Sequence, residues 1–146
     1  MAVNDGIGTD FDWVEFNKGI VKEFRDNDGV CGGRFEGNPM ILLTTTGAKS
    51  GRRLTSPLTY TSDSDNLVVI ASKAGADSHP AWYHNLVANP DVTIEIGTDT
   101  YAAIAESAPE PERTRLYDAQ TAAMPRFGEY QEKTDRVIPV VVIRRK

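Results

Sequence analysis

The segment Met40–Thr61 has the sequence MILLTTTGAKSGRRLTSPLTYT, in which two β-rich runs flank a loop of small and basic residues. The runs are Met40–Thr46 and Thr55–Thr61, and each is bounded by glycine or polar residues, as strands usually are. The two glycines of the loop free the backbone to bend. This segment therefore predicts a strand–loop–strand unit from which the rest of a β-rich fold can be built.

Four further strands are predicted, and most of the connections in the β-rich region are short. They are Leu67–Ala71, Val92–Ile96, Thr100–Glu106 and Val137–Ile143, the last with Pro139 at a bulge or an edge. The regular strand–helix alternation of a Rossmann fold is absent. The sequence thus predicts a mainly β (α+β) fold, in which an antiparallel sheet of about six strands closes toward a barrel with helices packed outside.

An N-terminal helix is predicted over residues 10–27, where apolar residues recur at spacings of three and four. Asp10 is its expected cap, and the apolar stripe consists of Trp13, Phe16, Ile20 and Phe24. We expect this stripe to pack in the core. Peripheral contact with a membrane or a quinone tail is the alternative.

Two more helices are predicted between the later strands. His79–Ala88 has Ser78 as its expected cap and Pro80 in its first turn, and Glu110–Met124 begins with an acidic turn that suits the helix dipole. Phe127 and Tyr130, three residues apart, predict a further short helical turn.

Composition and charge restrict the class of protein. We expect one domain over 1–146, with 1–9 flexible, the N-terminal helix over 10–27 and the barrel with its helices over 40–143. The net charge of −5 argues against generic nucleic-acid binding, and a single cysteine, Cys31, excludes an internal disulfide. No apolar run reaches membrane-spanning length and no signal-peptide pattern begins the chain, so we expect a cytoplasmic protein.

The loop after the first strand is the strongest candidate for a binding site. Its glycines let several backbone N–H groups point one way, while its basic side chains and a hydroxyl suit a phosphate or carboxylate. A solvated basic turn is the alternative. Ala48 stands where a Walker A motif has glycine, and the loop joins two strands, so this is not a Walker A loop. The residues concerned are Thr46, Gly47, Lys49, Ser50, Gly51, Arg52 and Arg53.

A second candidate is Ala71-Ser72-Lys73, which follows the apolar run Leu67–Ile70. Small residues at a strand end allow a flat ligand to approach the backbone, and Ser72 and Lys73 can bond its polar edge. A plain strand-to-helix connection with an exposed lysine is the alternative.

The predicted helix His79–Ala88 mixes core and polar residues. Trp82 and Leu86 lie four apart and are expected in the core, whereas Tyr83 and Asn85 could bond a neighbouring loop. His79 and His84 are the only histidines, and no acidic residue or cysteine has ligand spacing with them, so no metal site is expected.

A third candidate follows the last long helix. Met124, Phe127 and Tyr130 could line a substrate pocket with Tyr130 as a proton donor, or they could pack a short helix against the barrel. Arg136, beside Asp135, is interpreted as one half of a structural ion pair.

Five motifs in this order resemble the deazaflavin (F420)-dependent nitroreductase and quinone reductase family of actinobacteria. The resemblance covers residues 30 to 146, and the motifs are TTTGAKSG at 44–51, ASKAG at 71–75, PAWYHNLVANP at 80–90, Val92–Ile96 and TDRVIPV at 134–140. It implies a split β-barrel related to flavin-mononucleotide-binding proteins. It also implies coenzyme F420 as cofactor, and hydride transfer to a quinone, a nitroaromatic compound or an activated enone.

The resemblance assigns roles to individual residues. It implies that Lys49, Ser50 and Gly51 bind the anionic tail of the coenzyme, and that Ala71–Lys73 lies along the deazaflavin ring, with Ser72 near its reactive part. The other residues implied at the coenzyme are Pro57, Trp82, Tyr83, Asn85 and Leu86.

The chain departs from the family pattern in two places. Met124 and Phe127 replace tyrosines of the nitroimidazole-activating member, so Tyr130 is the one phenol retained. Tyr130 is the expected proton donor, and water is the alternative. Leu54 replaces a basic residue, for which Arg52 or Arg53 can substitute.

Three alternatives to a reductase are left open. They are a non-catalytic carrier of F420 or a flavin, an oxidase that uses flavin mononucleotide, and an interaction module that uses exposed edge strands. The expected partner is a small-molecule electron acceptor, and homodimer formation is left open.

Overall fold

The computed structural model describes residues 13–32, 37–73 and 78–146. Four helices and seven strands are present in this part of the chain. In chain order they are α1 (Trp13–Asp26), β1 (Met40–Thr46), β2 (Arg53–Thr59), β3 (Thr61–Asp63), β4 (Asn66–Ile70), α2 (Ala81–Ala88), β5 (Asp91–Ile96), β6 (Asp99–Ser107), α3 (Glu112–Ala123), α4 (Arg126–Glu132) and β7 (Val140–Arg145).

All seven strands form one antiparallel sheet in the order β2-β1-β5-β6-β7-β4-β3. The two edge strands, β2 and β3, are separated in sequence by Tyr60 alone, so the sheet must curl until its two edges meet at this residue. The Tyr60 N–H donates to the Pro39 carbonyl at 3.2 Å, which extends the pairing of β1 with β2 by one residue. The prediction of an antiparallel sheet that closes toward a barrel is confirmed.

The structure corrects the bounds of two predicted strands. The run Thr55–Thr61 is divided at Tyr60 into β2 and the short β3, which is why the sheet has seven strands and not six. The last strand begins at Val140, and Pro139 precedes it, where the proline carbonyl accepts a hydrogen bond from the Ala71 N–H at 3.0 Å. Pro139 therefore lies neither at a bulge nor within an edge strand.

The start of the second helix also differs from the prediction. Helix α2 begins at Ala81, with Pro80 at the N-cap position and no side-chain cap. Ser78 is not its cap, because the Ser78 hydroxyl lies 3.1 Å from Lys73 Nζ and accepts its hydrogen bond. The predicted cap Asp10, the side chain of Trp13 and the flexible segment 1–9 lie outside the described residues.

The interior of the curled sheet is filled by alternate side chains of five strands. On β1, Ile41 and Leu43 face this interior with Trp82 and Leu86 of α2, whereas Leu42 faces the opposite side. This alternation follows from the two-residue period of a strand. Burial of both faces explains why Met40–Leu43 of β1 is a continuous apolar run.

The outer face of the sheet is covered by two helical layers. Phe24 of α1 packs against Cys31 and Leu42, and α3 and α4 pack on β4 and β7 through a second apolar cluster that contains Ile70 and Phe127. The α1 stripe therefore contributes to the core through Phe24, as predicted. No helix in the described part of the chain is long and apolar enough to cross a membrane.

We expect the substitution Phe24→Ala to lower the free energy of unfolding by about 3–5 kcal/mol, because it empties the contact between α1 and β1. Urea unfolding followed by circular dichroism measures this change. Val30→Ala is the control, since Val30 is 68% exposed and its truncation leaves no cavity. A loss below about 1 kcal/mol for Phe24→Ala would show that α1 is not part of the core.

Candidate functional site

The segment Thr46–Arg53, called the anion loop below, is a closed turn between β1 and β2. The Gly47 N–H donates to the Arg52 carbonyl at 2.7 Å, and the Gly51 N–H donates back to the Gly47 carbonyl at 3.1 Å. Gly51 has φ +72°, a left-handed conformation that glycine adopts without strain. The Ser50 hydroxyl accepts from the Arg52 N–H at 3.1 Å. The loop is thus held in one shape by its own hydrogen bonds.

Two backbone N–H groups of the anion loop remain available for a ligand. Those of Lys49 and Ser50 have no hydrogen-bond partner among the described residues, whereas those of Gly47, Ala48, Gly51 and Arg52 are used within the protein. The side chains of Lys49 and Arg52 are exposed and make no ion pair within the described ranges. Free N–H groups beside two unpaired cations form a suitable site for a phosphate or carboxylate.

The third basic residue of the anion loop has a structural contact. Arg53 begins β2, and its guanidinium donates to the Thr93 hydroxyl of β5 at 2.9 Å. Its charge still adds to the local positive potential, but its side chain is held against the sheet. No local pattern separates Arg53 from Lys49 and Arg52, because its partner Thr93 is forty positions away.

Asn85 of α2 holds the anion loop in place. Its side-chain oxygen accepts from the Ala48 N–H at 3.0 Å, and its side-chain nitrogen donates to the Thr45 hydroxyl at 3.1 Å. One turn later Asn89 approaches the Thr46 carbonyl at 3.4 Å. Asn85 is buried, so these bonds satisfy a polar group that would otherwise be costly to bury. The prediction that Asn85 bonds a neighbouring loop is confirmed.

The segment Ala71–Lys73, called the ring segment below, continues from the end of β4. Ala71 and Ser72 are buried, and Lys73 has φ +49°, which is uncommon for a residue with a side chain. The Lys73 ammonium donates to the Ser78 hydroxyl. The remainder of the ASKAG motif, Ala74 and Gly75, lies outside the described residues.

Arg136 fixes the ring segment from the other side. Its guanidinium donates to the Ala71 carbonyl at 3.2 Å and to the Ser72 carbonyl at 2.7 Å, and it lies 2.9 Å from His79 Nδ1. Interpreting Arg136 as an ion-pair partner of Asp135 missed these contacts. No pattern in one sequence reveals them, because the two accepting groups are backbone carbonyls 65 and 64 positions away.

The contact with Arg136 determines the protonation state of His79. An arginine has only donors, so His79 Nδ1 must accept and the ring proton must be on Nε2. The pKa of His79 is lowered below its ordinary value of 6.5. Burial is the largest cause, followed by the positive charge of Arg136 and by the neighbouring His84. His79 is therefore neutral at pH 7.

Helix α2 and its flanking residues connect the two candidate ligand-binding segments. His79 precedes the helix and meets the ring segment through Arg136, whereas Asn85 and Asn89 contact the anion loop. Eight helical residues span about 12 Å. The structure thus places a buried strand end and a basic turn along one short helix, an arrangement that could accept a ligand with a flat ring and an anionic tail.

The other predicted residues of α2 have supporting positions. Trp82 and Leu86 are buried in the barrel core, in agreement with the prediction from their spacing. Tyr83 is half-buried and its hydroxyl bonds the Ser107 hydroxyl at 3.1 Å. Pro57 lies half-buried on the edge strand β2, opposite Leu42, where a missing N–H does not interrupt the sheet.

The third candidate segment, formed by Met124, Phe127 and Tyr130, is called the acceptor wall below. Phe127 is buried, whereas Met124 and Tyr130 are half-buried against the cluster that contains Ile70, the residue before the ring segment. The Phe127 and Tyr130 rings meet edge to face at 5.3 Å. Phe127 packs α4 on the sheet, as the packing interpretation predicts, and Tyr130 stays partly exposed. The substrate-pocket interpretation stays a prediction.

These features define a class of protein: a split barrel with a basic loop between its first two strands and a buried strand end near helix α2. The model of the F420H(2)-dependent quinone reductase family matches residues 17–145. The chain therefore belongs to the F420H(2)-dependent quinone reductase family.

Individual relatives support this assignment. The F420H(2)-dependent quinone reductase Rv1261c of Mycobacterium tuberculosis is 40% identical over 144 residues, which is 92% of this chain and 97% of the relative. The solved structure of an F420-H2 dependent reductase, FDR-A, is 39% identical with a TM-score of 0.66, covering 72% of this chain and 93% of that one. A solved structure described as a domain-swapped dimer is 36% identical with a TM-score of 0.68, covering 90% and 96%.

We expect Asn85→Ala to release the anion loop and to lower stability by about 1–3 kcal/mol, because it leaves the Ala48 N–H and the Thr45 hydroxyl without their buried partner. Hydrogen exchange of the Ala48 amide should become faster than in the wild type. Asn27→Ala is the matched control, since its amide bonds only the exposed Glu23 carbonyl. Unchanged exchange at Ala48 would contradict the role assigned to Asn85.

Proposed function

We propose that this protein transfers a hydride from reduced coenzyme F420 to a quinone. The observation that carries the proposal is the arrangement of the anion loop and the ring segment at the two ends of α2, in a chain that belongs to the F420H(2)-dependent quinone reductase family. The similarity to Rv1261c and to FDR-A supports the same coenzyme.

The residues present fit the coenzyme. F420 has a flat deazaflavin ring and a tail with a phosphate and glutamate carboxylates. The free N–H groups of Lys49 and Ser50, with the Lys49 and Arg52 side chains, suit the tail. The ring segment suits the deazaflavin, because its small residues allow close approach to the backbone. Of the predicted binding residues, Trp82 and Leu86 would act by supporting α2, since both are core residues.

Reduced F420, when bound, supplies two electrons and one proton as a hydride. A quinone that accepts this hydride needs one further proton to become a hydroquinone. The protein's contribution is to hold the two molecules together, to exclude water and to deliver that proton.

The acceptor wall is the proposed contact for the quinone. The exposed part of Tyr130 lies beside the buried Phe127 ring, so the wall offers an apolar surface and one phenolic O–H. We assign Tyr130 as the proton donor and Ser72, at the ring segment, as the residue nearest to the reacting part of the coenzyme.

The dimeric state of the 36% identical relative favours a homodimer for this chain as well.

We expect the double substitution Lys49→Ala with Arg52→Ala to weaken F420 binding by about tenfold or more, because two charge-assisted contacts with the tail are lost. The loss should be larger at low salt, where these charges are least screened. Fluorescence polarisation of F420 measures the affinity, and flavin mononucleotide serves as the parallel ligand.

The control for this titration is Lys18→Ala with Lys22→Ala, which removes two exposed lysines from α1. Equal F420 affinity for the wild type and the anion-loop variant would refute the tail assignment. Preference of the wild type for flavin mononucleotide would refute the coenzyme assignment.

We expect Tyr130→Phe to lower kcat for quinone reduction by about 10²-fold while leaving F420 affinity unchanged, because a positioned proton donor typically contributes 10²–10⁴-fold. Stopped-flow oxidation of reduced F420 by menadione measures the rate. Tyr101→Phe is the control, since Tyr101 lies on β6 under Arg145. A wild-type rate in Tyr130→Phe would assign proton delivery to water.

A further inference from the structure

Arg136 connects the ring segment with the acceptor wall. Its guanidinium holds the Ala71 and Ser72 carbonyls, as described above, while its backbone is fixed from α4. Gln131 of α4 donates to the Arg136 carbonyl at 2.7 Å and accepts from the Ile138 N–H at 3.1 Å. Gln131 directly follows Tyr130 on the same helix. Arg136 therefore connects the ring segment, through its side chain, with the helix of the acceptor wall, through its backbone.

The backbone of the ring segment requires such support. Lys73 has φ +49°, and a non-glycine residue keeps this conformation only where neighbouring contacts enforce it. Two hydrogen bonds restrain Lys73. Arg136 donates to the carbonyl of the preceding residue, Ser72, and the Lys73 ammonium donates to the Ser78 hydroxyl. A planar guanidinium fixes two carbonyls at once, which a lysine ammonium does less rigidly.

We propose that Arg136 is a positioning residue of this enzyme, which fixes the ring segment relative to the acceptor wall and thereby sets the approach of the quinone to the coenzyme. The inference rests on the proposed function. Reacting atoms must lie about 3–3.5 Å apart, and a displacement of 1 Å can cost about 10²-fold in rate. Arg136 therefore acts on the chemical step through the ring segment, without touching either reactant.

The test compares Arg136→Met with Arg136→Lys and with the control Arg115→Met. Arg115 is an exposed residue of α3 that pairs with Asp63 and Glu112, and it bonds none of the described residues of the three candidate segments. With menadione as acceptor, Arg136→Met should lower kcat by about tenfold or more, and Arg136→Lys should restore part of the loss. The affinity for F420, measured by polarisation, should change much less, because the anion loop is intact.

Two readouts need no bound coenzyme. Hydrogen exchange at Ser72 and Lys73 should become faster in Arg136→Met and stay unchanged in Arg115→Met. The pKa of His79, followed by NMR, should rise toward its ordinary value in Arg136→Met, because a positive charge beside the ring is lost while His84 and the packing of Tyr83 remain.

The outcomes separate the inference from the proposed function. Wild-type kcat in Arg136→Met would overturn the inference and leave the proposed function intact. No quinone reduction by the wild type would overturn both. The inference would also be overturned if thermal unfolding of Arg136→Met explained its lower kcat completely. Hydrogen exchange at Ser72 and the pKa of His79 would then be the same as in the wild type. If Arg136→Met does not fold, Arg136→Lys carries the same comparison.

Discussion

The side-chain amide of Asn85 is the interaction on which the geometry of the site most depends. It bonds the Thr45 hydroxyl and the Ala48 N–H, so α2 is fixed to the loop that leaves β1. Because Trp82 and Leu86 anchor the same helix in the barrel core, the position of the loop is set by the core itself. A surface turn with three basic residues thus acquires the rigidity that a binding site needs.

The opposite end of α2 is fixed by a different kind of contact. There the neutral His79 accepts a hydrogen bond from Arg136. The Arg136 guanidinium also donates to the carbonyls of Ala71 and Ser72, which directly follow β4. The helix makes few polar contacts through its own N-terminus, where Pro80 provides no side-chain cap. The relative position of the anion loop and the ring segment therefore follows from α2. Hydrogen bonds of Asn85 fix the first segment, and those of His79 and Arg136 fix the second.

The sequence predicted the local features of this fold well because they depend on local patterns. The apolar run in β1, the apolar spacing of Trp82 and Leu86 and the basic loop between two strands all have short-range signals. The family resemblance joined these segments into one coenzyme site. The comparisons confirm the family, and the residues of the site stay a prediction. The break at Tyr60 was missed, since it arises where the chain passes from one edge of the curled sheet, β2 beside β1, to the other edge, β3 beside β4.

The polar clamps of the site were largely beyond sequence reasoning. A bond from Asn85 to a neighbouring loop was anticipated, but the contacts of Arg136 with backbone carbonyls and of Arg53 with Thr93 depend on register and curvature. Likewise, the loop glycines are visible in the sequence. The hydrogen bonds that engage the N–H groups of Gly47, Ala48, Gly51 and Arg52 are not. What is left free, at Lys49 and Ser50, is a property of the folded loop.

An amide-resolved NMR titration with oxidised F420 reports on the anion loop, the ring segment and α2 in one experiment. The largest shifts should occur at Lys49 and Ser50 and at Ser72 and Lys73, with smaller shifts along α2. Shifts confined instead to the cavity of about 230 Å³ beside Arg25 and Glu95 would contradict this expectation, because that cavity contacts neither the anion loop nor the ring segment.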